Sequence, residues 1–246
     1  MMSMTKEDLK QTLLDARDLA QQGAYADALG KYSWIYENAI EIDSSWYGVR
    51  NSYILGEWAN LGNHYPAARV ELESIRDAKT NLLKDGLLER NLFIDVASIN
   101  EALKQEDDTC ALFAQIAEKD RAFAQTCFSP ARIALVHARQ YSLARSFIKY
   151  PQETLTSLTN RLQQDLESNF IKNADYSIQM HKTLIDIYIE DVQQLLEILV
   201  GVGEKDEAER IAIIAVDSIP PSVCRDEIHE KLNFYLKKVR IDGNSE

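Results

Sequence analysis

The sequence predicts an all-α protein made of stacked antiparallel helical hairpins, and three observations predict it. Gly and Pro are scarce, 9 and 5 in 246 residues, whereas a sandwich or barrel turns every ten residues or so and usually builds its turns from them. Apolar residues recur three and four apart along most of the chain, which is helical spacing. A helix, a turn and a second helix then return several times, the pattern of a repeat architecture. Hydrophobic residues make up 46%, which is rich enough to offset ordering entropy along nearly the whole length. A chain of this length suits one elongated domain or two compact ones. The repeats favour a single helical-repeat domain over 1–246.

Taken in order, Thr5-Lys6-Glu7-Asp8 comes close to a capping box and starts a helix that runs to about Gln22. Gly23 supplies a left-handed turn, and Tyr25, Ala28, Tyr32 and Ile35 carry a second helix back along the first. The next hairpin has Leu55, Gly56 and Ala59 on its first helix and Tyr65, Ala68, Leu72 and Ile75 on its second. A weaker third has Ala97, then Thr109, Phe113 and Ile116, and a fourth has Leu135, Tyr141, Ala144 and Ile148. The last shows Leu195, Leu196 and Leu199, a turn at Gly203, then Ala208, Ala212, Ala215 and Pro220. The hairpins are expected over about 5–41, 44–81, 88–119, 129–149 and 176–217. Between the last two, Pro151 followed by Leu155, Leu158, Leu162, Leu166 and Phe170 predicts an inserted helix over about 151–171. Val223, Ile228, Leu232 and Tyr235 predict a capping helix over about 222–238, and the residues after Ile241 a frayed tail.

Small-residue contacts between paired helices, a Gly turn, an aromatic, an Ala three residues further on and a closing Pro are the marks of one repeat family. In that pattern the first, second and last copies resemble the tetratricopeptide repeat. The resemblance implies a right-handed superhelix of hairpins and a non-catalytic, partner-binding role. The equivalent positions Ala28, Ala68, Thr109, Ala144 and Ala208 are 40, 41, 35 and 64 residues apart, against a family period of about 34. The array is therefore irregular, with the longest gap taken up by the inserted helix. In such arrays the first helices line a concave groove. Carried over from the small residues Ala16, Gly56 and Ala97, that geometry places Lys10, Leu13, Arg17 and Gln21 in the groove, then Arg50, Tyr53, Glu57 and Asn60, then Asn91, Ile94, Ser98 and Glu101. Lys10, Arg17, Arg50, Tyr53, Glu57, Asn60 and Asn91 are the expected partner-binding residues. The carboxylate-clamp subset of the family needs Lys and Asn where this chain has Leu13 and Arg17, which argues against a chaperone-tail specificity.

Lys and Arg number 27 against 39 Asp and Glu, a net charge of -12, so nucleic acid is not an expected partner. No signal-like segment opens the chain, and the longest apolar runs, such as Ile198 to Val202, fall far short of the ~20 residues that span a bilayer. The expectation is a soluble cytoplasmic protein with no membrane contact. Cys110, Cys127 and Cys224 are odd in number and widely spaced, which suits small buried hydrophobes in a reducing compartment. Four histidines occur singly, without the spacing of a zinc site. Gly201-Val202-Gly203 follows a helix and reads as a turn rather than a phosphate loop. Glu190 and Asp191 are helix neighbours that do not face each other, while Asp107 and Asp108 precede a helix whose dipole they complement. No catalytic residue, metal or cofactor is expected. The leading expectation is a scaffold or adaptor that holds a protein or peptide in its groove. The alternatives are an acidic subunit that masks a basic partner and, without residue support, an enzyme with a groove site. Nothing in the sequence specifies an oligomeric state.

Overall fold

The computed structural model describes residues 4–168, 174–218, 228–234 and 237. Every regular element among them is helical, and the chain divides into two compact units, 1–131 and 132–246. None of these helices is long and apolar enough to cross a membrane.

In the first unit, α1 (Lys6–Gln21) starts at a full capping box: Thr5 N–H donates to Asp8 Oδ2 at 2.7 Å, and Asp8 N–H to Thr5 Oγ1 at 3.4 Å. Gly23, at φ +79°, makes the left-handed turn that a side chain resists. Helix α2 (Tyr25–Ile42) then packs back on α1 and buries Ala28, Tyr32, Ile35 and Ala39. Asp43 caps the next turn by accepting from Ser45 N–H at 2.9 Å. The helical stretch that follows is interrupted. A 3₁₀ turn at Ser44–Trp46 and the short α3 (Tyr47–Val49) lead into a π-helical turn at Arg50–Ile54, and only then into α4 (Leu55–Gly62). Helix α5 (Pro66–Lys84) opens with Pro in its first turn, where the missing N–H costs nothing. Trp58 of α4 is fully buried, and its indole N–H donates to Ala68 O of α5 at 2.9 Å. That contact joins the second hairpin through the small residue Ala68.

Helices α6 (Arg90–Leu103) and α7 (Glu106–Lys119) pack as the third pair. Thr109 stands where the other copies have Ala, and it is buried with its hydroxyl accepting from Asn100 Nδ2 at 3.0 Å. The departure from Ala is compensated by a matched polar partner on the facing helix. Phe93, Phe113 and Phe128 pack in sequence from α6 to α7 to α8 (Arg121–His137), the first pair edge-on and the second tilted, with centroids 6.2 and 6.3 Å apart. Pro130 lies inside α8 and cannot donate to the carbonyl four residues back, Thr126 O. Arg90 Nε donates to that carbonyl instead, at 2.8 Å.

In the second unit α9 (Tyr141–Arg145) is a single short turn of helix, followed by α10 (Pro151–Ser168), α11 (Ala174–Gly201) and α12 (Lys205–Asp217). Helix α11 packs against α9, α10 and α12. Helix α10 occupies the span where an inserted helix was expected, burying Leu155, Leu158 and Leu162. The fourth hairpin was expected to have a full second helix carrying Tyr141, Ala144 and Ile148. Its helix stops at Arg145, where Ser146, Phe147 and Ile148 N–H groups donate to the carbonyls three residues back, Leu143, Ala144 and Arg145. Gly201 meets α9 closely: a Cβ there would come within 2.1 Å of the Tyr141 ring. Asp191, one of the adjacent carboxylates, is held by Arg132 and Arg161, and Arg132 also donates to Gln194 at 2.8 Å. Ile228 and Leu232 are buried, while Phe170, Val223, Tyr235 and the tail after Ile241 lie outside the described residues.

Candidate functional site

The expected site residues separate into two environments. Arg17, Gln21, Glu57 and Asn60 line one open cleft of about 460 Å³ in the first unit, formed where α1, α2 and α4 meet. Arg50 does not join them. It is only 6% exposed, and its guanidinium makes a two-pronged ion pair with buried Asp95, Nη1 to Oδ1 at 2.7 Å and Nη2 to Oδ2 at 3.1 Å. Lys79 reaches the same carboxylate at 2.7 Å, and the Arg50 guanidinium lies over the Tyr36 ring at 3.8 Å. Arg50 is therefore a structural cation, and the expectation that it faces a partner is corrected.

The π-helical turn accounts for that change. In an unbroken α-helix Arg50 and Glu57, seven residues apart, share a face. A turn with i to i+5 bonding holds an extra residue, so positions on its two sides fall out of phase by about one residue, roughly 100°. Arg50 begins that turn and Glu57 follows it. Tyr53, inside the turn, is thrown outward at 68% exposure and does not line the cleft. Lys10 is exposed and paired with Glu7 of its own helix at 2.9 Å. Asn91 and Glu101 are exposed on α6 away from the cleft lining, Ile94 and Ser98 are half-buried there, and Leu13 belongs to the core.

Five residues that the groove geometry did not name complete the cleft: Ala20 of α1, Tyr25 and Tyr32 of α2, Leu61 of α4, and His64 in the turn before α5. Tyr25 stacks on His64 with centroids 5.9 Å apart and on Tyr65 at 6.4 Å. The signal was present in the repeat itself, since Tyr25 and Tyr65 each stand three residues before the buried Ala of their helix. Equivalent positions of adjacent hairpins came together through these two rings, each at the start of a second helix.

At the cleft floor the Arg17 Nε donates to Glu57 Oε1 and Oε2 at 2.9 and 3.1 Å, and Nη2 donates to Oε1 at 2.6 Å. Tyr32 adds its hydroxyl to Oε2 at 3.1 Å. The Glu57 hydrogen bonds hold the Arg17 pKa above its ordinary value. The Tyr32 pKa is also raised, first by burial and then by the Glu57 charge, so its hydroxyl remains a donor. Three of the protein's own donors thus occupy Glu57, the single Arg17 Nε–H being shared between its two oxygens, whereas the Arg17 Nη1 group has no acceptor among the described residues. The amides of Gln21 and Asn60 stand beside it, so the cleft offers donors to a guest and is lined by the rings of Tyr25, Tyr32 and His64.

Among the described residues no group of three or more His, Cys, Asp and Glu is placed to hold a metal ion. Cys110 and Cys127 are free and buried. A scan against protein-family models and a search of curated proteins return no match for the chain.

Proposed function

We propose that this chain is a non-catalytic binding protein of the tetratricopeptide-like kind, which holds an extended segment of a cytoplasmic protein partner in the cleft between α1, α2 and α4. The observation that carries the reading is the Arg17–Glu57–Tyr32 cluster. Its carboxylate already accepts from three of the protein's own donors and its guanidinium has the Nη1 hydrogens left over, so the cluster offers a guest more donors than acceptors. An extended peptide is rich in carbonyl acceptors, and a guest ring or proline can stack on Tyr25 and His64. Both Glu57 oxygens are turned to Arg17 and Tyr32, which speaks against acid–base or nucleophilic work by Glu57, since that needs an oxygen within reach of a substrate. A subunit that masks a basic partner through the -12 charge is less well supported, because the ion pair in the cleft is neutralised internally and leaves donors over.

Peptides selected by display on the immobilised protein test the reading. Binding of the selected peptides should weaken by about 30-fold or more, the ~2 kcal/mol of an interface hot spot, when Arg17→Ala is combined with Asn60→Ala. Glu73→Ala, which removes an ion pair to Arg69 on α5, serves as the control and should leave affinity unchanged. Peptides that bind the double variant as tightly as the unmodified protein would place the binding surface elsewhere.

A further inference from the structure

The turn between α5 and α6 exposes more apolar surface than its local structure requires. Gly86, at φ +100°, ends α5 in a Schellman arrangement, with Leu87 N–H donating to Leu82 O at 3.0 Å and Gly86 N–H to Leu83 O at 3.2 Å. That motif ordinarily brings the side chains of the two flanking positions together, which accounts for Leu82 and Leu87. Leu88 has no such role, yet it stands 42% exposed. It borders a cavity of about 230 Å³, walled by Leu83 of α5 and by Leu112 and Ile116 of α7. Isolated exposed leucines are ordinary, but one that extends the wall of an apolar cavity marks a contact surface.

Lys84 and Lys119 frame this cavity as the last residues of α5 and α7. Positive charge there complements the helix C-termini, and neither ammonium has a carboxylate within ion-pair distance among the described residues. Asp120 is the one carboxylate in the lining, and its Oδ1 is engaged by Phe123 N–H at 2.9 Å as the cap of α8. The cavity lining thus carries two ammonium groups against one carboxylate, a local positive excess in a chain of net charge -12, and local charges govern what binds because distant ones are screened beyond roughly 8 to 10 Å. The volume also falls below the roughly 300 to 1,000 Å³ of sites for drug-sized molecules. It suits one or two apolar side chains delivered by a larger partner.

From this combination we infer that the α5–α6 turn and the end of α7 form a second docking surface, distinct from the Arg17 cleft, that takes an apolar anchor of an acidic peptide segment. The anchor fills the space between Leu88, Leu112 and Ile116, and carboxylates flanking it pair with Lys84 and Lys119. The opposed charges set which segments approach, and the anchor sets how long they stay.

The probe is a short fluorescein-labelled peptide with a Leu-Phe pair between two Glu-Glu steps, and its counterpart has Lys in place of every Glu. Fluorescence anisotropy with the full chain should show the acidic peptide binding at least ~10-fold tighter than the basic one. Lys84→Glu with Lys119→Glu should reverse that preference, and Leu88→Ser should weaken the acidic peptide at least ~10-fold while circular dichroism stays unchanged. Arg17→Ala should leave this binding intact, which keeps the outcome separate from that of the cleft. Equal binding of the two peptides, or no binding by either, overturns the inference. So does an acidic peptide indifferent to the charge reversal, displacement of the peptide by decanoate at equal concentration, or self-association of the chain that Leu88→Ser abolishes, since each assigns the cavity to nothing or to a different occupant.

Discussion

Arg50→Ala should unfold the first unit more easily without acting through any partner. Asp95 carries its charge in a site where its side chain is 8% exposed, and three hydrogen bonds compensate it, two from Arg50 and one from Lys79. Breaking a buried pair by removing one member costs about 3 to 5 kcal/mol. Lys79 remains on Oδ2, so only Oδ1 loses its partner, which places the ionic loss near the lower end, ~3 kcal/mol. Losing the guanidinium from the buried Tyr36 ring adds about 2 kcal/mol. All three tryptophans, Trp34, Trp46 and Trp58, lie in the first unit, so tryptophan emission during urea titration follows that unit alone. The total is ~5 kcal/mol, and at ~1 to 3 kcal/mol per molar urea the midpoint should fall by about 2 to 5 M. Tyr53→Ala, three residues away but 68% exposed, should stay within ~0.5 kcal/mol of the unmodified protein. A loss under about 1 kcal/mol for Arg50→Ala, or an equal loss for both variants, would refute the buried-pair reasoning.

Three further outcomes are expected. Burial alone would raise the Asp95 pKa, but hydrogen bonds from Arg50 and Lys79 outweigh it and hold the carboxyl below its ordinary 3.8. The folded value therefore lies below the unfolded one, and the stabilisation is complete above about pH 5 and lost as pH falls through 3.8 toward the folded value. The stability gap between the unmodified protein and Asp95→Asn should shrink over that acid range, and a gap independent of pH would contradict it. Ala68→Leu should cost roughly 1 to 3 kcal/mol by overpacking the fully buried contact between α4 and α5, read from the same tryptophan titration; an unchanged midpoint would mean the two helices meet elsewhere. Gly201→Ala should drive the Tyr141 ring from its place and break its 2.9 Å hydrogen bond to Glu197, at roughly 1 to 3 kcal/mol. Urea unfolding followed by circular dichroism measures that loss, and a neutral result would show that α9 yields without strain.

Helix identity, turns and small contact residues were legible in the sequence because they depend on neighbours along the chain. Thr5 and Asp8 form their cap within four residues, Gly23 and Gly203 take positive φ in their own turns, and Ala28, Ala68 and Ala208 are buried where helical spacing put them. The reading weakened where one helix depends on another. Nothing local announces the π-helical turn at Arg50–Ile54, which lets Arg50 reach Asp95 of α6 across 45 residues of sequence. A groove face extrapolated at constant helical pitch therefore kept Arg17, Glu57 and Asn60 and misplaced Arg50. Tyr25 and His64 likewise meet only when two hairpins pack. The sequence by itself determined that this chain folds into paired helices, since spacing, caps and turns are short-range properties of the backbone. Only the tertiary structure decided which polar groups face solvent and which cancel one another, because a buried charge is satisfied by whichever partner packing brings within ~3 Å, at any distance along the chain.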